Sequence, residues 1–215
     1  MSLSVALTKG RLEKAAAEML AEAGYGVEKL SNKGRALVFA DTVKDIRYFL
    51  VKANDCITYI EHGVADIGIV GKDTLMEGGS DYYEMLDLEI GKCRFIVGGL
   101  KGCDPLQKNG HIRIGTKYPE VARRYFASRG MDVEIIRIEG SVELGPVLGL
   151  CDGIVDIMET GTTLKENGLE VYDTVARISA RVIVNKASFK LKRREVMEFI
   201  SDLERIVKKH AEGNQ

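Results

Sequence analysis

The sequence has no paired-cysteine motif, no long apolar run and no surplus of either charge. Its four cysteines, Cys56, Cys93, Cys103 and Cys151, make no CxxC and no zinc-ligand spacing. Each stands among apolar or small residues, which predicts buried free thiols in a reducing compartment. A formal net charge of -1 over 215 residues argues against a surface dedicated to nucleic acid or to an anionic membrane. No apolar run approaches a membrane span, and Met1–Leu7 lacks the basic start of a signal peptide, so a cytoplasmic protein is expected. Two nucleotide signatures are missing as well. There is no GxGxxG, and Gly71-Lys72 is not a Walker A loop, because Asp66 stands at that motif's first glycine and Asp73 at its Ser/Thr. His62 has no partner at metal-ligand spacing, so its expected role is structural and no side chain is assigned to a metal.

What is present centres on Asp156-Ile-Met-Glu159-Thr160-Gly161-Thr162-Thr163-Leu-Lys-Glu166. The apolar run Gly153–Val155 reads as a buried strand. Thr163–Glu166 reads as a short helix that Gly168 ends. Strand, Thr/Gly loop and helix start point backbone N–H groups and a positive dipole end into the loop. Three threonine hydroxyls add donors suited to phosphate oxygens. Asp156 and Glu159 would repel an isolated phosphate, yet they suit the vicinal hydroxyls of a ribose. Together these features point to a sugar phosphate. An ordinary N-capped helix after a strand accounts for the same residues, and the loop alone does not decide between the two.

The rest of the chain alternates strand and helix. Strands are expected at 4–7, 36–39, 46–51, 82–89, 93–100, 112–116, 133–138, 169–178 and 181–185. Helices are expected at 12–23, 57–62, 119–128 and 192–210, the last amphipathic through Val196, Phe199, Ile200, Leu203 and Ile206. Two basic loops, Thr8–Arg11 and Ser31–Arg35, put cations beside strand ends, where open α/β sheets bind ligands. The run Lys190–Arg194 is expected to solvate the start of the last helix. Ser141 is a candidate N-cap, with Glu143 in the first turn of its helix. Gly63-Val-Ala-Asp66 and Gly149-Leu-Cys-Asp152 each precede an apolar strand and then a polar loop, which reads as one unit repeated in two similarly built lobes. The expected fold is therefore α/β and two-lobed, with a cleft between the lobes. Residues 1–91 plus 180–215 form the first lobe and 92–179 the second.

At Ala6–Leu12, Gly63–Asp73, Gly140–Leu144 and Asp156–Gly168 the chain resembles the ATP phosphoribosyltransferases of histidine biosynthesis, in family order and across nearly its whole length. The length is similar to the short form, which lacks the C-terminal regulatory domain of the long form. The resemblance implies a fold like type II periplasmic binding proteins and Mg²⁺ dependence. It also implies a cytoplasmic homodimer activated, in a hetero-octamer, by a regulatory subunit related to histidyl-tRNA synthetase. The implied reaction transfers the phosphoribosyl group of phosphoribosyl pyrophosphate to N1 of ATP and releases pyrophosphate. The donor motif then maps onto Asp156, Glu159, Thr160, Gly161, Thr162 and Thr163. Lys9, Arg35 and Lys52 fall in catalytic positions, and Lys9, Arg11, Asp73 and Glu143 on the ATP side. One departure stands out: relatives commonly read Leu-Val-Arg-Pro-x-Asp where this chain has Leu50-Val-Lys52-Ala-Asn-Asp55, which keeps the charge and loses the bidentate fork. A two-lobed binding or sensor protein without turnover is the alternative, and another phosphoribosyltransferase is the nearest enzymatic one.

Overall fold

The computed structural model describes residues 2–31, 35–41, 44–79 and 81–213. The chain divides into two compact units, Met1–Gly91 with Ser179–Gln215, and Lys92–Ile178. In the first unit a six-stranded sheet runs in the order β2-β3-β1-β4-β11-β5. Its strands are β1 (Leu3–Thr8), β2 (Val38–Asp41), β3 (Ile46–Val51), β4 (Ile67–Gly71), β5 (Tyr83–Asp87) and β11 (Ala180–Val184). β1 lies between β3 and β4, parallel to both, and β11 runs antiparallel to β4 and β5. Every residue of β1 is buried, as expected for a parallel strand covered on both faces. Leu3, Val5 and Leu7 join one core with α1 (Arg11–Glu22) and α9 (Arg193–Gly213), while Ala6 joins another with α3 (Ala53–Glu61).

The second unit repeats this plan with one strand fewer. Its strands are β6 (Cys93–Leu100), β7 (Arg113–Thr116), β8 (Glu134–Arg137), β9 (Gly153–Met158) and β10 (Leu169–Ile178), ordered β10-β6-β9-β7-β8. Parallel β8-β7-β9 matches parallel β3-β1-β4, and antiparallel β6 and β10 match β11 and β5. The two Gly-x-x-Asp segments occupy the same place in both sheets. The Asp66 N–H donates to Ser4 O and its carboxylate accepts the Ser4 N–H at 2.8 Å. The Asp152 N–H donates to Arg113 O and its carboxylate accepts the Arg113 N–H at 2.8 Å. Each aspartate therefore pins the start of two neighbouring parallel strands. Helices α4 (Lys72–Glu77), α5 (Pro119–Ser128), α6 (Leu144–Val147) and α7 (Thr162–Glu166) follow strands or their loops, and α2 (Glu28–Ser31) and α8 (Lys186–Leu191) complete the set.

Several sequence expectations are corrected. The strand placed at 36–39 is Val38–Asp41, and the helix placed at 57–62 begins at Ala53. α8 was not foreseen; the Asn185 side chain caps it by accepting the Ser188 N–H at 2.8 Å. Lys192 does more than solvate a helix start, because its ammonium reaches the buried Asp66 carboxylate at 2.8 Å and Ser2 O at 2.9 Å. All four cysteines are free, but Cys103 is exposed and Cys93 only partly covered. The loop Ser31–Arg35 lies largely outside the described residues, and Arg35 itself is exposed. α9 covers the first unit's sheet with Val196, Phe199, Ile200, Leu203 and Ile206.

Candidate active site

In the second unit, β9 runs to Met158, so Asp156 lies within the strand and not in the loop after it. Burial pushes the Asp156 carboxyl up to about 6; the nearby Glu143 carboxylate adds to the rise, while the Ile157 N–H and the Lys117 charge oppose it. Asp156, Glu143, Glu159, Thr160, Gly161 and Thr163 share the wall of a pocket of about 300 Å³. Gly161 turns the chain into α7 with φ 82°, the left-handed region, and a Cβ there would meet Met158 Sδ at 2.9 Å. Both conditions call for glycine. Thr162 is then the first residue of α7, not part of the loop. Its hydroxyl lies 3.1 Å from the Thr160 hydroxyl, and its N–H faces Thr160 Oγ1 at 3.5 Å. The first-turn amides of α7 have no carbonyl partners within the helix. Glu143 stands just before α6, with helical φ, and Leu144 N–H donates to Ser141 O. Ser141 is therefore not the cap and Glu143 not a first-turn residue. A capping reading would have hidden the feature that matters, which is that Glu143 and Asp156 share one pocket.

In the first unit, the carboxyl ends of the adjacent parallel strands β1 and β3 carry expected cations. Lys9 follows β1, with its N–H on Val51 O at 2.8 Å, and Lys52 follows β3 as the residue before α3. Both side chains are exposed. Gly10 adopts φ 98°, and its N–H faces the Glu13 carboxylate at 3.5 Å. Arg11 opens α1 and donates to Gly91 O at 3.4 Å. Asp73 sits in the first turn of α4, folded back against Gly71, where a Cβ would meet its Oδ1. Lys72, beside it, is held by Glu84 at 2.5 Å. Sequence reasoning passed over Lys117, which follows β7 as Lys9 follows β1; the available signal was a lysine directly after a short strand, as in Thr8-Lys9 and Val51-Lys52.

Carboxylates set beside a Thr/Gly helix start, on the carboxyl edge of an α/β sheet, suit a protein that handles a sugar phosphate. The family described as HisG: ATP phosphoribosyltransferase matches residues 52–205. An ATP phosphoribosyltransferase of Clostridium novyi is 54% identical over 207 residues, covering 95% of this chain and 98% of that protein. One from Listeria monocytogenes serotype 4b is also 54% identical, over 96% of this chain and 97% of that one. The ATP phosphoribosyl transferase (HisG:HisZ) complex from Thermotoga maritima superposes with a TM-score of 0.81 at 38% identity, covering 96% of this chain and 99% of that one. The periplasmic aliphatic sulphonate binding protein SsuA of Escherichia coli superposes with a TM-score of 0.62 at 8% identity over 99% of this chain and 75% of that one, a likeness of fold alone. The chain belongs to the ATP phosphoribosyltransferase family, enzymes of the first step of histidine biosynthesis, and has the fold of type II periplasmic binding proteins.

Proposed function

We propose that the pocket of the second unit holds phosphoribosyl pyrophosphate while adenine N1 of ATP attacks its C1′ and pyrophosphate leaves. The observation that carries this assignment is the shared wall of Asp156, Glu159, Thr160, Gly161 and Thr163 around one pocket. The 5-phosphate takes the first-turn amides of α7 and the Thr160, Thr162 and Thr163 hydroxyls. The ribose hydroxyls face Asp156 and Glu159, and a carboxylate that titrates near 6 can accept from them at neutral pH. Bond breaking at C1′ leaves positive charge on the sugar and negative charge on the departing group. The reaction therefore asks for positioning and fixed cations more than for a strong base. Lys9, Lys52 and Arg35 supply those cations to the pyrophosphate and the triphosphate; Lys52 does so as a point charge. Arg11, Asp73 and Glu143 serve ATP.

Mg²⁺ fits this scheme as a phosphate-bound ion. Phosphate oxygens and water would hold it, and charge neutralisation is what it would supply. No helix among the described residues is long and apolar enough to cross a membrane. A homodimer completed by a synthetase-like regulatory subunit is the working assembly, in keeping with the HisG:HisZ complex that the chain resembles.

The test mixes the chain with ATP, phosphoribosyl pyrophosphate, Mg²⁺ and pyrophosphatase, and follows N1-phosphoribosyl-ATP by ultraviolet absorbance. Product that requires both substrates is expected. Absence of product even with the regulatory subunit added would favour a binding or sensor protein. In the same assay Arg35→Ala should lower turnover by no more than about 3–4 kcal/mol of barrier, the contribution of one preorganised electrostatic donor. Unchanged turnover would remove Arg35 from the site.

A further inference from the structure

Among the described residues the donor pocket is walled by three carboxylates, Glu143, Asp156 and Glu159, and by no lysine or arginine. A substrate carrying a phosphate and a pyrophosphate would meet net repulsion there unless a cation stands close by. The sheet places one. In this fold a lysine directly follows each of four parallel strands: Lys9 after β1, Lys52 after β3, Lys72 after β4 and Lys117 after β7. Lys72 is taken by Glu84. Lys117 is exposed, and nothing among the described residues pairs with its ammonium.

Its position is fixed from both sides. Thr116 is in register with Val155 of β9, and the next residues along the two parallel strands are Lys117 and Asp156. The Thr116 hydroxyl donates to Val155 O at 2.6 Å and accepts the Tyr118 N–H at 2.9 Å. Tyr118 stacks edge-on against the fully buried Phe95, with ring centroids 4.9 Å apart. The chain on either side of Lys117 is thus anchored, and the lysine stands at the strand end next to Asp156. Its charge draws the Asp156 carboxyl down against burial and Glu143.

Resting on the phosphoribosyl-transfer reading, we propose that Lys117 is a further donor-binding residue: its ammonium, at the strand end beside Asp156, binds an anionic oxygen of phosphoribosyl pyrophosphate. Among the described residues the charged groups facing Asp156 are Glu143 from the segment before α6, Glu159 from the loop after β9, and Lys117 directly after β7; on the β6 side its partner is the apolar Ile96.

The experiment compares wild type, Lys117→Ala and Lys117→Arg. The Ala variant should raise KM for phosphoribosyl pyrophosphate about tenfold to a hundredfold, the loss of one charged hydrogen bond, with KM for ATP little changed and the melting temperature kept. The acid limb of its kcat/KM profile should move to higher pH, because Asp156 loses its neighbouring cation. Arg should restore most of both effects. An unchanged donor KM, an equal loss on ATP, or a failure of Arg to rescue would overturn the assignment. If the wild-type chain with its regulatory subunit makes no product, the transfer reading fails instead. Calorimetric titration with phosphoribosyl pyrophosphate then decides Lys117 alone: weaker binding to the Ala variant supports it and equal binding overturns it.

Discussion

Val70 and Asp156 occupy the same place in two copies of one design. Each lies four residues after a strand-pinning aspartate, on a strand flanked by a parallel neighbour on one side and an antiparallel one on the other. Val70 is fully buried and belongs to the core of α3 and β4. Asp156 carries a carboxyl at that position, in a sheet built the same way. A buried carboxylate costs stability unless something compensates it. In the second unit Lys117 compensates it only in part, since the carboxyl still titrates near 6. The difference separates what the fold needs from what the site needs. The fold uses an aspartate at 66 and at 152 to pin strand starts; on the proposed assignment it is the sugar-phosphate site that uses the one at 156.

The largest expected effect falls on the structural member of the comparison. Burial pushes the Asp66 carboxyl up, but the bonds from Lys192, Ser188 and Ser4 overcome this and hold it below the ordinary carboxylate value. Asp66→Ala strands a partly buried Lys192 and the Ser4 N–H, and should cost about 3–5 kcal/mol in urea unfolding, the usual loss when one partner of a buried pair is removed. The pH dependence has a definite sign. A lowered pKa gives stability that is present above the unfolded-state value and lost as pH falls through the folded-state value. The wild type should therefore lose ground to the variant only in acid. Hydrogen exchange should rise first in peptides of the first unit. A loss confined to the second unit would break the equivalence of the two frameworks.

At Asp156 the sign reverses. Its raised pKa is a penalty that is absent below about pH 4, the unfolded aspartate value, grows towards about pH 6, and stays constant above it. Asp156→Asn should therefore gain about 2–3 kcal/mol above pH 7 from roughly two pKa units, gain nothing near pH 4, and lose most of its turnover. Asp156→Val, which copies the residue of the first unit, should move stability and activity in the same directions. This is the trade expected where an active site is less stable than its frame would allow. A destabilised Asn variant at pH 8 would mean that Asp156 is structural, like Asp66.

The comparison also marks what could be read from the residues alone. The Gly-x-x-Asp repeat was legible because an aspartate before an apolar run is a local pattern with one main use, pinning strand starts. The Thr/Gly helix start after β9 was legible for the same kind of reason. α8 was not, because its stability comes from the Asn185 cap and packing, without a long apolar period. The Lys192–Asp66 pair spans 126 residues of sequence and leaves no local trace. The convergence of Glu143 and Asp156 on one pocket was equally invisible, because it depends on β9 lying beside β7, which pairs in turn with β8. Lys117 carries the same strand-then-lysine signal as Lys9, so its place at a strand end is legible in the sequence.

The smallest effect tests the loop that the first unit lacks. There, β4 passes directly into α4 at Lys72, whereas Glu159, Thr160 and Gly161 intervene between β9 and α7. If those added residues serve to bring the first-turn donors of α7 to a phosphate, removing the hydroxyls that open α7 should weaken donor binding and little else. Thr162→Ala with Thr163→Ala should raise Kd for phosphoribosyl pyrophosphate by about 1 kcal/mol per hydroxyl, while ATP binding changes less and the melting point stays near that of the wild type. The two threonines are exposed and sit at a helix start, so the substitutions remove donors without opening the core. Equal losses on both substrates would mean that the loop sets the shape of the pocket and is not a phosphate cradle. That outcome would move the 5-phosphate elsewhere while leaving Asp156 as the position where the two sheets diverge.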